Sequence, residues 1–242
     1  SLSFEPKLDV FNHSALDAAD WAISEAERLG LRLIIPLTDN GAHYAGGKSD
    51  FTSWNGIKDE NQFYYNSQVV GAFQRYISAR LQHVNPYTGR KAIDEPSIAI
   101  WETGNELSGP ANWTDSISKF IKNIDENHLV MDGTYGIELD HLNLTDVDVY
   151  TDHFYPPSRS RLLKGLTMVH AANKVYSLGE FGWTANPNGG EMDEMLPTCL
   201  SHSVCLQAAP WSFFPHADTH GYVQHGDGFT FHFPGWESKA AM

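Results

Sequence analysis

The sequence predicts an α/β fold of the (β/α)8 barrel class, a single domain over residues 1–242, and three observations carry that expectation. Short β-rich runs alternate with segments whose apolar residues recur at helical spacing, the pattern of repeated βα units around a parallel sheet. A chain of 242 residues can bury one sizeable core and falls in the usual range for one such barrel. Two of the apolar runs end in glutamate: Ile98-Ala99-Ile100-Trp101-Glu102-Thr103-Gly104-Asn105-Glu106, and Val175-Tyr176-Ser177-Leu178-Gly179-Glu180. In a parallel barrel the C-terminal strand ends meet at one mouth, where acids far apart in sequence can face one ligand. Two facing carboxylates are what glycoside hydrolysis requires.

The elements follow in order. Ser14 is expected to cap a helix whose Leu16, Ala19, Ile23 and Ala26 form one face and which Gly30 ends. A strand over 31–38 comes next. Val69, Phe73, Ile77 and Leu81 stand four apart on a second helix that stops before Asn85-Pro86, and the strand to Glu106 follows. Ile117, Phe120, Ile121 and Ile124 mark a third helix, leading to strands over 129–134 and 147–154. Leu162, Leu163, Leu166 and Val169 mark a fourth helix before the strand to Glu180, and a helix over 192–200 precedes a last strand over 206–213. That makes six strands where a closed barrel has eight. After Phe214 only a Gly- and His-rich loop and a short tail are expected, and 186–190 reads as a mouth loop.

Thirty acidic against 16 basic residues, a formal charge of −14, oppose nucleic acid and anionic lipid as partners. A neutral polymer is the easier partner, and seven Trp in a chain that is 12% aromatic suit stacking on sugar faces, although most of these rings serve the core. Three N-glycosylation sequons, at Asn12, Asn112 and Asn143, suggest a secreted eukaryotic protein, with any leader removed. Cys199 and Cys205 stand six apart across a helix-to-strand turn, which permits a local disulfide in an oxidising compartment; two buried thiols are the alternative. The longest clean apolar run, 33–37, is far too short to span a membrane.

Four stretches carry a resemblance: Trp101-Glu-Thr-Gly-Asn-Glu106, Asp152-His-Phe-Tyr-Pro156, Gly179-Glu-Phe-Gly182, and the tail from Gly221 to Gly235. In that order they resemble glycoside hydrolase family five, and within it fungal proteins grouped with the endo-β-1,4-mannanases. The resemblance implies a retaining hydrolase with Glu106 as acid/base and Glu180 as nucleophile. It implies that Asn105 bonds the sugar 2-hydroxyl, that Tyr155 donates to Glu180, that His153 orients acid and sugar, and that Trp211 is the stacking floor. Glu102 shares strand parity with Glu106 and is read as a structural carboxylate. Asp39 and Asn40 line the cleft, with Asn40 on substrate. Where relatives carry histidine this chain has Ala45, and His43 is expected to substitute. His216, His220, His225 and His232 lack compact ligand spacing, so no metal and no cofactor is expected.

Relatives open with two further strands, the second delivering an arginine, and close with a last helix; the resemblance therefore implies an incomplete barrel whose activity depends on what is missing. The partner implied is a polysaccharide or oligosaccharide, with no nucleic acid and no membrane, acting on a monomer unless the open barrel edge pairs with another chain. Alternatives are a β-glucanase or exo-β-mannosidase of the same family, because loops choose among specificities, and a catalytically impaired carbohydrate-binding protein.

Overall fold

Strand β1 (Leu33–Pro36) pairs in parallel with β2 (Ile98–Glu102), and β2 with β3 (Leu129–Asp132), which sets Trp101 beside Val130 and Glu102 beside Met131. The computed structural model describes residues 3–42, 46–182, 190–217, 221–222 and 231–233. It divides the chain into two compact units, Ser1–Tyr150 and Thr151–Met242, and the division falls inside strand β4 (Val149–Phe154).

In the first unit the sheet order is β1-β2-β3-β4, closed by Met131 opposite Val149 and Asp132 opposite Tyr150. Helix α1 (Asp17–Leu29) precedes β1. The expected cap is corrected: Ser14 lies inside a 3-10 turn over His13–Leu16, where its hydroxyl donates to Asn12 Oδ1 at 2.6 Å. The tight turn feeds the chain straight into the helix, and Asp17 and Asp20 in the first turn meet the positive end of the helix dipole instead. Gly30, at φ 72°, ends the helix as expected. Between β1 and β2 stand α2 (Lys48–Trp54), α3 (Gln62–Tyr65) and α4 (Ser67–Leu81). The Asn66 side chain caps α4 by accepting from the N–H groups of Gln68 and Val69. Helix α5 (Ala111–Ile124) joins β2 to β3 and buries Trp113, Ile117 and Ile121.

The core of this unit is aromatic. Phe51, Phe63, Phe73, Tyr76 and Trp113 are all buried, and Phe51 meets Phe73 edge-on at 5.2 Å. This cluster explains α2 and α3, which the sequence pattern did not show: each is too short for a periodic stripe, and each is held by burial of one or two rings, Phe51 in α2 and Phe63 and Tyr64 in α3.

In the second unit the order is β4-β5-β6, with β5 at Val175–Gly182 and β6 at Cys205–Trp211, joined by α6 (Arg159–Ala171) and α7 (Gly190–Leu200). Strand β5 pairs β6 in parallel, with Gly182 opposite Trp211. A separate small sheet follows, β7 (Phe213–Ala217) between β8 (Gly221–Tyr222) and β9 (Phe231–Phe233). The expectation of a plain loop after Phe214 is therefore corrected. Strands of two and three residues show no alternation that a sequence pattern can register, and the pairing itself makes them. The six strands β1 to β6 and their helices have the element order of the (β/α)8 barrel class, six of its eight strands being present among the described residues.

Candidate active site

Past the end of β2 the chain is bonded to both neighbours. Asn105 N–H donates to the Thr38 carbonyl at 2.8 Å, and Asn40 N–H to the Asn105 carbonyl at 2.9 Å. On the other side Leu107 N–H donates to the Gly133 carbonyl at 2.8 Å. The approach requires glycine at 133, where a Cβ would lie 1.7 Å from the Gly104 carbonyl oxygen. Between these anchors Glu106 takes a left-handed backbone, φ 55°, a conformation that costs a non-glycine residue about 1 kcal/mol or more. Asn105 Nδ2 donates to Asp39 Oδ2 at 3.2 Å, and Lys48 Nζ donates to Asn40 Oδ1 at 2.7 Å. Ser108 N–H donates to the Tyr64 hydroxyl, whose pKa burial pushes up, so it stays a neutral acceptor. Asn105 and Glu106 are half-buried, and Glu102 is buried.

The second unit carries a supported carboxylate of its own, Glu180 on β5. The Tyr155 hydroxyl donates to Glu180 Oε2 at 2.7 Å, a bond that is stronger to a carboxylate than to the neutral acid. His153 Nδ1 lies 3.6 Å from the same oxygen, beyond hydrogen-bond range. Gly179 makes room for this: a Cβ there would sit 2.2 Å from Thr151 Oγ1 and 2.7 Å from His153 Nε2. Behind the strand, the Tyr176 hydroxyl donates to Asp152 Oδ2 at 2.9 Å. Burial first and the Asp152 charge second push that hydroxyl far above its ordinary pKa, so it remains a donor. Trp211 is half-buried at the end of β6, the strand paired with the one carrying Glu180.

The residues expected from sequence thus fall into two groups. Asn40, Asn105 and Glu106 lie together at the ends of β1 and β2; His153, Tyr155 and Glu180 lie together at the ends of β4 and β5. His43 and Ala45 lie outside the described residues, as do His220 and His225, and of His216 and His232 only the strand positions are described. Cys199 and Cys205 form a disulfide with Cα atoms 5.5 Å apart. Asn112 and Asn143 are exposed, whereas Asn12 is half-buried. Sequence reasoning missed Lys48, whose side chain is buried; the signal available was a lysine directly after Gly46-Gly47 beside the two strand-end polar residues. A cavity of about 390 Å³ in the first unit is lined by Phe4, Glu5, Thr38, Asp50, Trp54 and Tyr76 among others, and holds none of the carboxylates above.

Mannan endo-1,4-beta-mannosidase 1 of Arabidopsis thaliana is 28% identical over 178 residues, covering 61% of this chain and 43% of that protein. Probable mannan endo-1,4-beta-mannosidase F of Neosartorya fischeri is 30% identical over 183 residues, covering 72% of this chain and 36% of that protein. The chain thus spans less than half the length of these two relatives. Among solved structures, the hyperthermostable endo-1,4-beta-D-mannanase of Thermotoga petrophila RKU-1 has a TM-score of 0.84 at 23% identity, over 95% of this chain and 81% of that one. A glycoside hydrolase family 5 mannosidase from Rhizomucor miehei has a TM-score of 0.75 at 18% identity, over 95% and 75%. At these identities the structures speak for the fold alone. A family model described as GH family 5 beta-mannosidase-like matches residues 1–154, well over half of the sequence, and the chain belongs to that family.

Proposed function

We propose that the chain is the catalytic domain, over residues 1–242, of a retaining glycoside hydrolase that cleaves β-1,4-mannan internally. The observation that carries the reading is the pair of supported glutamates, Glu106 following Asn105 at the end of β2 and Glu180 held by Tyr155 at the end of β5. The names of the relatives point to mannan as substrate.

In this reading Glu180 attacks the anomeric carbon while Glu106 protonates the leaving oxygen, forming a glycosyl ester on Glu180. Glu106, now a carboxylate, takes a proton from water, which hydrolyses the ester. Such a reaction holds its two carboxyls about 5–5.5 Å apart. Tyr155 keeps Glu180 ionised and aimed, His153 and Asn105 bind the reacting sugar, Asn40 contacts it from β1, and Trp211 stacks beneath it. The protein acts as a monomer on a neutral polysaccharide, with neither nucleic acid nor membrane as partner; no helix among the described residues is long and apolar enough to cross a membrane. We place it outside the cell, in a fungus, with N-glycans on the exposed Asn112 and Asn143 and with the Cys199–Cys205 bond formed in an oxidising compartment.

A second reading, an exo-acting β-mannosidase, is favoured by the family description. Product analysis on mannan separates the two: oligosaccharides of mixed length mark internal cleavage, mannose alone marks exo action. Cellulose and laminarin should be poor substrates. Glu180→Ala should abolish turnover of every substrate, whereas Glu106→Ala should spare the first step for an aryl glycoside whose leaving group needs no acid. Substantial mannan hydrolysis by Glu180→Ala, or equal loss of polymer and aryl turnover in both variants, would overturn the role assignment.

A further inference from the structure

We propose that Asp39 and Lys48 are positioning residues that fix the side-chain amides of Asn105 and Asn40 in opposite senses, and so decide which sugar hydroxyls are held as donors and which as acceptors. The proposal deepens the glycosidase reading and rests on it. An asparagine amide is nearly the same shape either way round, so its orientation is decided by its neighbours. At Asn105 the neighbour is a carboxylate, Asp39 Oδ2, 3.2 Å from Nδ2. A carboxylate only accepts, so the NH2 end must face it; the turned amide would set oxygen against oxygen. At Asn40 the neighbour is the Lys48 ammonium, 2.7 Å from Oδ1. An ammonium only donates, so the carbonyl end must face it.

Both anchors are held rigidly. Asp39 Oδ1 accepts from Gly41 N–H at 2.8 Å, and the Asp39 carbonyl accepts from Lys48 N–H at 3.0 Å. Lys48 is only 8% exposed, and its ammonium lies 5.8 Å from the centre of the Tyr64 ring. Gly47 approaches Gly41 so closely that a Cβ on Gly47 would fall 2.1 Å from the Gly41 carbonyl oxygen. Burying an ammonium is costly unless it is hydrogen-bonded, which ties Lys48 to Asn40. Asn105 is left with its carbonyl oxygen and one N–H, and Asn40 with both N–H donors. Together they suit a pair of sugar hydroxyls, one donating to Asn105 and the other accepting from Asn40.

The discriminating variant is Asp39→Asn, which changes one atom. Gly41 N–H claims the oxygen of the new amide, its NH2 turns to Asn105, and Asn105 must turn over. The Asn105 side-chain NH2 signals, assigned by their loss in Asn105→Ala, should move in the nitrogen–proton NMR spectrum of Asp39→Asn. On an aryl β-mannoside kcat should fall about tenfold, the weight of one hydrogen bond, with little change in KM. On the 2-deoxy analogue wild type and variant should turn over alike. Lys48→Met should raise KM, and Lys48→Arg, which keeps a donor for Asn40, should restore it. Equal losses on the normal and 2-deoxy substrates would overturn the proposal. If the wild type cleaves no glycoside at all, the glycosidase reading fails, and the NMR comparison still judges the orientation: unmoved Asn105 signals overturn it, moved ones support it.

Discussion

Glu106 is a glutamate in a backbone conformation that glycine and asparagine tolerate far better, φ 55°, at the point where the chain leaves β2. Anchors on both sides, to Thr38 and to Gly133, hold it there. The strain is consistent with a residue kept for its carboxyl rather than for its fit. Glu106→Asn should therefore raise the melting temperature by about 2–4 °C, the equivalent of roughly 1 kcal/mol in a chain of this size, while abolishing mannan turnover. A lowered melting temperature would show that the backbone stores no strain. At Glu180 the expectation runs the other way. Tyr155→Phe removes one donor at 2.7 Å and leaves the ring in place, so the fold should hold. Because hydrogen bonds to charged groups are worth about 1.5–3 kcal/mol, kcat/KM should drop roughly 10- to 100-fold. Unchanged kinetics would remove Tyr155 from the site.

At the scale of elements, one buried network fastens α5 to β2 and to the start of β3. Asp125, directly after α5, accepts from Trp101 Nε1 at 2.6 Å and from His128 Nδ1 at 2.6 Å, and His128 Nε2 donates to the Glu95 carbonyl at 3.0 Å. An acceptor at each ring nitrogen favours the protonated form of His128, in which both nitrogens donate. Burial alone would lower its pKa, but the bonds to Asp125 and Glu95 outweigh burial and hold it above the ordinary value. For Asp125 burial acts to raise the pKa, and the bonds from His128 and Trp101 outweigh it and hold the carboxyl low. The His128 contribution is therefore complete below about pH 6.5 and is lost as pH rises through its raised value. The Asp125 contribution is present above about pH 3.9 and is lost as pH falls through its lowered value. Urea midpoints should peak between these limits. His128→Gln should flatten the alkaline decline and cost about 3–5 kcal/mol at pH 5, since it leaves the Asp125 charge buried without its partner. A variant that kept the alkaline decline would assign it to other groups. Helices α1, α4, α5 and α6 were legible in the sequence because their buried residues recur every three or four positions, as Val69, Phe73 and Ile77 do in α4. The two short helices α2 and α3 were not, because a single turn or two has no period to show, and the aromatic cluster around Phe51 and Phe63 makes them.

For the whole molecule, the charge of −14 opposes polyanions and leaves a neutral polysaccharide unaffected. On the proposed reading the KM for mannan should change less than about twofold between roughly 50 and 500 mM salt, because screening acts only between charges. A steep salt dependence would point to a charged substrate. The order of the six main-sheet strands and of the longer helices, the two glutamates at strand ends, the histidine and tyrosine two residues apart, and the family were all determined by the sequence itself. Each rests on local spacing or on short motifs whose residues lie within a few positions of one another. The left-handed backbone at Glu106, the burial of Lys48 and its bond to Asn40, and the carboxylate that orients Asn105 were decided only by tertiary structure. Asp39 and Asn105 are 66 positions apart and Tyr155 and Glu180 are 25 apart, and such pairs meet only through the register between parallel strands. That register is set by which buried faces pack together, a property of the folded core that no single run of residues contains.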